Sequence, residues 1–164
     1  RPWAVPGTKG LEHVIGGLEK EDVTGHISYE PENHARMTEL RAAKVAAIAD
    51  DVPPLEVDDP DGAEMLVVGW GSTYGAITGA VRRLRRRGQS VAAAHLRHLS
   101  PLPANTGDVL RSYRRVLVPE VNTGQLVRVL RGEFLVDAES YTKVEGLPIF
   151  AEELDDAITE RLER

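Results

Sequence analysis

Met65-Leu-Val-Val-Gly-Trp-Gly-Ser-Thr-Tyr-Gly75 is followed directly by Ala76-Ile-Thr-Gly-Ala-Val81, and the change of period between them decides the fold. Met65 to Gly69 is a continuous apolar run with two adjacent valines. Such a run, ended by glycines, reads as a strand buried on both faces, as in parallel sheets. The pattern after the glycine turn has helical period, with Ile77, Ala80, Val81 and Leu84 on one stripe, and Gly88 suits the position after the last helical residue. A strand running through a tight turn into a helix is the opening half of a βαβ unit.

The rest of the chain repeats that alternation. Strands are expected at about 64–70, 90–96, 115–120 and 138–144, and helices at about 73–87 and 151–162, with another opened by Asn122-Thr-Gly-Gln125. A short helix capped by Asn105 follows Pro101-Leu-Pro103. The fourth helix should turn Leu126, Val129 and Leu130 inward, and the last should bury Leu154, Ile158 and Leu162. Alternating strands and helices imply right-handed crossovers and a parallel sheet. Residues 63–164 therefore read as an open three-layer α/β sandwich, with a mostly parallel sheet of four or five strands.

Upstream the character changes. Residues 1–30 hold Pro2, Pro6, Gly7, Gly10, Gly16, Gly17 and Gly25, too many breakers for packed secondary structure. The arm also carries Trp3, Val5, Leu11, Val14 and Ile15, which suit a strap lying on another domain or subunit; a disordered terminus is the competing reading. Residues 31–50 read as an amphipathic helix, opened by Pro31-Glu-Asn and bearing Met37, Leu40, Ala47 and Ile48. The acidic, proline-containing stretch 51–62 reads as a linker.

Composition narrows the function. The chain has 164 residues, 41% of them apolar, and a net charge of −6, which disfavours a nucleic-acid partner. No apolar run approaches the roughly 20 residues of a membrane span, and no signal peptide is visible. The absence of cysteine excludes disulfides, a thiolate nucleophile and cysteine-held iron–sulfur ligation by these residues, and suits a cytoplasmic location. The chain begins at Arg1 with no initiator Met, so a longer parent is expected.

In open α/β sheets, binding loops gather at the carboxyl ends of the strands. Three such loops stand out. The first, Gly69-Trp70-Gly71-Ser72-Thr73, aims backbone N–H groups past the strand end and suits either an anion or an interface. A dinucleotide is disfavoured, because the glycine fingerprint places Tyr74 where the third glycine belongs. The second strand also ends in Ala94-His95-Leu96-Arg97-His98, with no acid for ribose hydroxyls. His95 and His98 would lie on opposite faces of a strand, so burial or an interface contact is favoured over a metal site. The third loop holds Glu120, Asn122 and Gln125: Asn122 is expected to cap the following helix and Glu120 to touch a partner chain. No nucleophile accompanies them, so no catalytic residue and no metal ligand is assigned. Arg82-Arg-Leu-Arg-Arg-Arg87 closes a helix and reads as a solvated face rather than a docking surface.

Read together, these loops resemble the C-terminal portion of the alpha subunit of the 2-oxoacid:ferredoxin oxidoreductases, most closely the 2-oxoglutarate type. The matching stretches are Arg1-Pro-Trp-Ala-Val-Pro-Gly7, Gly25-His26, Pro31-Glu-Asn-His34, Arg41-Ala-Ala-Lys44 and Val67-Val-Gly-Trp-Gly-Ser-Thr73. Further on come His95-Leu-Arg-His-Leu-Ser-Pro-Leu-Pro103, Val116-Leu-Val-Pro-Glu-Val-Asn-Thr-Gly-Gln-Leu126 and Lys143-Val-Glu-Gly-Leu-Pro148. The resemblance implies a domain similar to the C-terminal domain of transketolases from about residue 60. It also implies a parent complex that decarboxylates 2-oxoglutarate on thiamine diphosphate and Mg2+, passes electrons through an iron–sulfur cluster to ferredoxin, and forms succinyl-CoA from CoA. The implied partner is a beta subunit, with the cofactors held there or in other domains and none by these residues alone. A stand-alone anion- or nucleotide-binding module is the competing class. So is the equivalent domain of another thiamine enzyme: a pyruvate:ferredoxin oxidoreductase, a transketolase, or the decarboxylating component of a 2-oxoacid dehydrogenase.

Overall fold

Met65–Trp70 forms the central strand of a five-stranded sheet, and its alternating side chains feed two separate cores. The computed structural model describes residues 4–59 and 62–163. Trp3 of the arm and Asp61 of the acidic stretch lie outside them. The chain divides into two bodies, residues 1–48 and 49–164, each described by itself.

In the second body the elements run β1 (Val57–Asp58), β2 (Met65–Trp70), α2 (Tyr74–Arg86), β3 (Val91–Leu96) and α3 (Thr106–Arg111). They continue with β4 (Arg115–Glu120), α4 (Gln125–Phe134), β5 (Ala138–Thr142) and α5 (Ala151–Leu162). α1 is Pro31–Ala46 of the first body. The sheet order is β1-β3-β2-β4-β5, parallel throughout except for β1, which pairs antiparallel with β3. This is the open three-layer α/β fold expected from the alternation of strands and helices.

The period of two along β2 assigns each residue to a layer. Met65 and Val67 face Ile77, Val81 and Leu84 of α2 and Leu154 and Ile158 of α5. Leu66 and Val68 face Leu110 of α3 and Leu126 and Leu130 of α4. All four β2 side chains are inaccessible to solvent. Burying a side chain of this size stabilises by about 1.5–3 kcal/mol, so each of these four β2 residues contributes substantially to the core.

Three local details depart from the sequence reading. On α4, Val127 turns inward and Val129 is half-exposed. Both flank the stripe at helical spacing, and only the flank nearer the sheet is covered. Asn105 stands at the N-cap of α3 but makes no cap there: its Oδ1 accepts the Leu55 N–H at 2.7 Å and its Nδ2 donates to the Leu55 carbonyl at 3.0 Å. Those two bonds close a ladder that fastens residues 53–58 beside the sheet, where Val57 and Asp58 become the edge strand. The arginine run ending α2 is also less solvated than expected. Arg85 holds the Asp58 carboxylate at 2.9 Å and the Val91 carbonyl at 2.8 Å, Arg83 pairs with Glu152 at 2.8 Å, and Arg87 pairs with the buried Asp155. Acidic partners on β1 and α5 turn a helix-end charge run into cross-links.

The first body lacks comparable support. The arm folds back through a Lys20–Ile27 bridge and is tied to α1 by polar pairs, Asp22 with Arg36 at 2.8 Å and Glu19 with Arg41 at 3.1 Å. Among its described residues no apolar side chain is buried, and Val5, Val14, Ile15, Val23 and Tyr29 are well exposed. Exposed ion pairs contribute little, about 0–1 kcal/mol each, so the described residues of this body do not supply the apolar burial that stabilises a fold.

Candidate functional site

Two of the three strand-end loops, those after β2 and β4, meet at one buried acid. Glu120, the last residue of β4, is fully buried. Its Oε1 accepts the Leu126 N–H at 2.8 Å and the Trp70 indole N–H at 3.3 Å, and its Oε2 accepts the Val127 N–H at 3.1 Å. Asn122 Oδ1 accepts the N–H groups of Gly124 and Gln125, both at 2.9 Å. The first three helical N–H groups of α4 are therefore all taken by side chains of its own approach loop. A negative group belongs at that end of a helix, where unpaired donors and the dipole coincide.

Glu120 was expected to touch a partner chain; within this chain its carboxylate is fully buried and accepts from Leu126, Val127 and Trp70. Asn122 does serve the start of α4, although the N-cap itself is Gly124, whose φ of +82° favours glycine. A Cβ at Gly124 would also press on Val127 Cγ1 at 3.1 Å. Gln125 remains exposed at the first helical position.

The turn after β2 is closed on itself in the same manner. Gly71–Thr73 is a single 3-10 turn, and the buried Thr73 hydroxyl donates to the Trp70 carbonyl at 2.8 Å while accepting the Trp70 N–H at 3.1 Å. Trp70, bonded to Glu120, ties this loop to the β4 loop. Ser72 and Gly71 are exposed.

The histidines separate. His95 lies on β3, its ring edge-on to Tyr74 with centroids 5.1 Å apart, and its Nδ1 is buried without a hydrogen-bond partner. Arg97 and His98 follow the strand and are exposed. Burial, assisted by the nearby Arg97 charge, holds the His95 pKa below the usual 6.5. Because the folded value is the lower one, protonation opposes folding: stability from neutral His95 is complete above about pH 6.5 and declines below it. A proton NMR titration should place the His95 midpoint below 6.5; a midpoint at or above that value would mean the ring is not held dry.

Among the described residues, no three His, Asp or Glu side chains gather in the manner of metal ligands. No described helix is long and apolar enough to cross a membrane. At the ends of β2 and β4 the buried polar groups of Trp70, Thr73, Glu120 and Asn122 are spent on bonds within these loops. Sequence reasoning missed the Trp70–Glu120 link, and a polar residue ending an otherwise apolar strand was its one visible signal.

Fold and site thus define a three-layer α/β domain whose loops after β2 and β4 are braced on one another. Residues 63–146 match the family model described as pyruvate:ferredoxin oxidoreductase core domain II. That span is just over half of the chain, and the chain belongs to this family. It is 59% identical over 155 residues to 2-oxoglutarate oxidoreductase subunit KorA of Mycobacterium tuberculosis, covering 94% of this chain and 23% of that protein. It is 32% identical over 148 residues to 2-oxoacid:ferredoxin oxidoreductase 1, subunit alpha, of Aeropyrum pernix, covering 85% and 23% of the two chains. A solved structure of 2-oxoglutarate:ferredoxin oxidoreductase from Magnetococcus marinus, with 2-oxoglutarate, coenzyme A and succinyl-CoA bound, superposes with a TM-score of 0.85 at 34% identity. The superposition covers 98% of this chain and 28% of that one. The chain spans about a quarter of the length of the relatives it matches.

Proposed function

We propose that this chain is the assembly domain of the alpha subunit of a 2-oxoglutarate:ferredoxin oxidoreductase, working with a beta subunit. The parent complex would oxidatively decarboxylate 2-oxoglutarate in the presence of CoA, giving succinyl-CoA and carbon dioxide and passing two electrons to ferredoxin. The observation that carries this reading is the 59% identity to a 2-oxoglutarate oxidoreductase subunit across 94% of the chain.

The geometry agrees with a supporting role. The first body exposes apolar side chains that it cannot bury itself, which suits a strap laid on the remainder of the subunit or on its partner. The second body presents braced loops at the strand ends, with Ser72, Arg97, His98 and Gln125 directed outward as candidate contacts. Thiamine diphosphate would supply the carbanion chemistry of the parent complex. No group of three His, Asp or Glu stands together among the described residues and the chain has no cysteine, so in this reading none of its residues is given the magnesium or a cluster to hold. No reaction step is therefore assigned to it.

The test uses the full-length parent subunit combined with its beta subunit. Reduction of a low-potential viologen dye should depend on both 2-oxoglutarate and CoA. Reduction with pyruvate alone would remove the substrate assignment, and no reduction with any 2-oxoacid would remove the enzyme reading.

A further inference from the structure

The second body carries a cleft of about 590 Å³, of whose lining only the rim residues Arg97 and His98 enter the roles above. Pro53 to Asp58 form one wall, α2 the other, and the end of β3 with Pro103 closes it. The volume lies within the range of small-molecule sites, about 300–1,000 Å³. Ile77, Val81 and Ala93 make the cleft floor apolar. Tyr74, Thr78 and Arg82 line it at intervals of four, along one face of α2.

The charge distribution is selective. Most described arginines are spent on carboxylates, and Arg128 donates to the Thr123 carbonyl. Among the described residues, Arg82, Arg86 and Arg97 have no such partner, and two of these three line the cleft. His98 joins them there without a hydrogen bond, and His95 brings a ring whose Nδ1 is buried and unpartnered. Of the two acids on the wall, Asp58 is already occupied by Arg85. Glu56 is free to accept a donor from a ligand. Tyr74 is 58% exposed, although its ring stands against His95, so an aromatic surface is available beside the cations.

We infer that this cleft binds a small phosphorylated molecule with a flat body, its phosphate between Arg82 and Arg97 and its body on Tyr74. Guanidinium groups without carboxylate partners retain their full donor capacity for a phosphate, which they bind through paired N–H groups. An aromatic ring and an apolar floor then favour a planar body over a bare anion. The inference rests on this geometry and not on the activity proposed above.

The test uses the complete subunit complex, already saturated with thiamine diphosphate and CoA, titrated calorimetrically with inorganic phosphate and with AMP. Wild-type protein should bind both, AMP about tenfold more tightly, equivalent to about 1.4 kcal/mol. The double variant Arg82→Gln, Arg97→Gln should lose at least about tenfold in affinity for each probe. Neither side chain has a partner among the described residues, so this variant should keep its structure. Tyr74→Ala should bring AMP down to the affinity of phosphate and leave phosphate unchanged. Arg86→Gln, equally unpaired but outside the cleft, should alter neither. Equal binding by wild type and the double variant, or no binding by wild type at about 10 mM probe, would overturn the site. AMP binding no tighter than phosphate would overturn the flat-body half of it.

Discussion

Glu120→Ala is expected to destabilise the second body by about 3–5 kcal/mol, a large share of the 5–15 kcal/mol typical of a domain. Two effects oppose each other here. Removing a buried carboxylate relieves its desolvation, and replacing a buried charged group by an apolar one is sometimes neutral or stabilising. The outcome depends on what is left behind. Leu126 and Val127, whose N–H groups lose their acceptor, are each about 95% buried, so water cannot replace it. An unsatisfied buried donor costs about 1–3 kcal/mol, and two are created together with a cavity at the strand end. The desolvation relief is outweighed. Glu120→Gln keeps one acceptor oxygen but turns an amide N–H toward donors, and should cost about half as much. Chemical denaturation of the wild type and both variants measures the order. Trp70 fluorescence in a Trp3→Phe background reports the indole–carboxylate bond directly. A loss below about 1 kcal/mol in Glu120→Ala would show that α4 starts equally well without the acid.

The reading of the sequence succeeded where a pattern is repeated and failed where one residue decides. β2 was legible because five consecutive apolar residues admit few alternatives, and the α2 stripe of Ile77, Ala80, Val81 and Leu84 is buried as its spacing requires. β1 was not legible. A two-residue strand has no period, and Val57 and Asp58 are held at the sheet edge by long-range polar bonds, from Asn105, fifty residues beyond Leu55 in sequence, and from Arg85 to Asp58. Charge was misread for a related reason. Arg83, Arg85 and Arg87 look like a helix-end patch until the fold brings Glu152, Asp58 and Asp155 opposite them. Glu120 shows the same limit within the site: a polar residue at a strand end suggests function, and only its three donors reveal a structural acid. Long-range polar pairing is the part of this fold that local sequence does not encode.

Gly69→Ala is the sharper test of the turn after β2, because the need for glycine there is one of space alone. Gly69 is not among the glycines with left-handed backbone, so alanine meets no conformational penalty at this position. Restricting the unfolded chain would even favour alanine by about 0.4–1 kcal/mol. Against this, the added Cβ would overlap Ile77 Cδ1, and it would lie 2.8 Å from Thr73 Oγ1 and 3.2 Å from His95 Nδ1. Ile77 and Thr73 are both buried, and the Thr73 hydroxyl is fixed by its two bonds to Trp70. Overpacking a site of this kind costs about 1–3 kcal/mol, so the net change should be destabilising by roughly 1–2 kcal/mol. Adding Ile77→Val removes the nearest methyl and supplies a quantitative check. Alone it should cost about 0.5–1.5 kcal/mol, as a buried Ile→Val change does. Combined with Gly69→Ala it should cost less than the sum, with a coupling of at least about 0.5 kcal/mol, because one strain is counted in both single variants. Recovery should remain partial, since Thr73 Oγ1 still stands 2.8 Å from the new Cβ. Strict additivity in denaturation midpoints would mean that the strand end yields as a unit, and then the glycine near the end of β2 would not be set by the packing of Ile77.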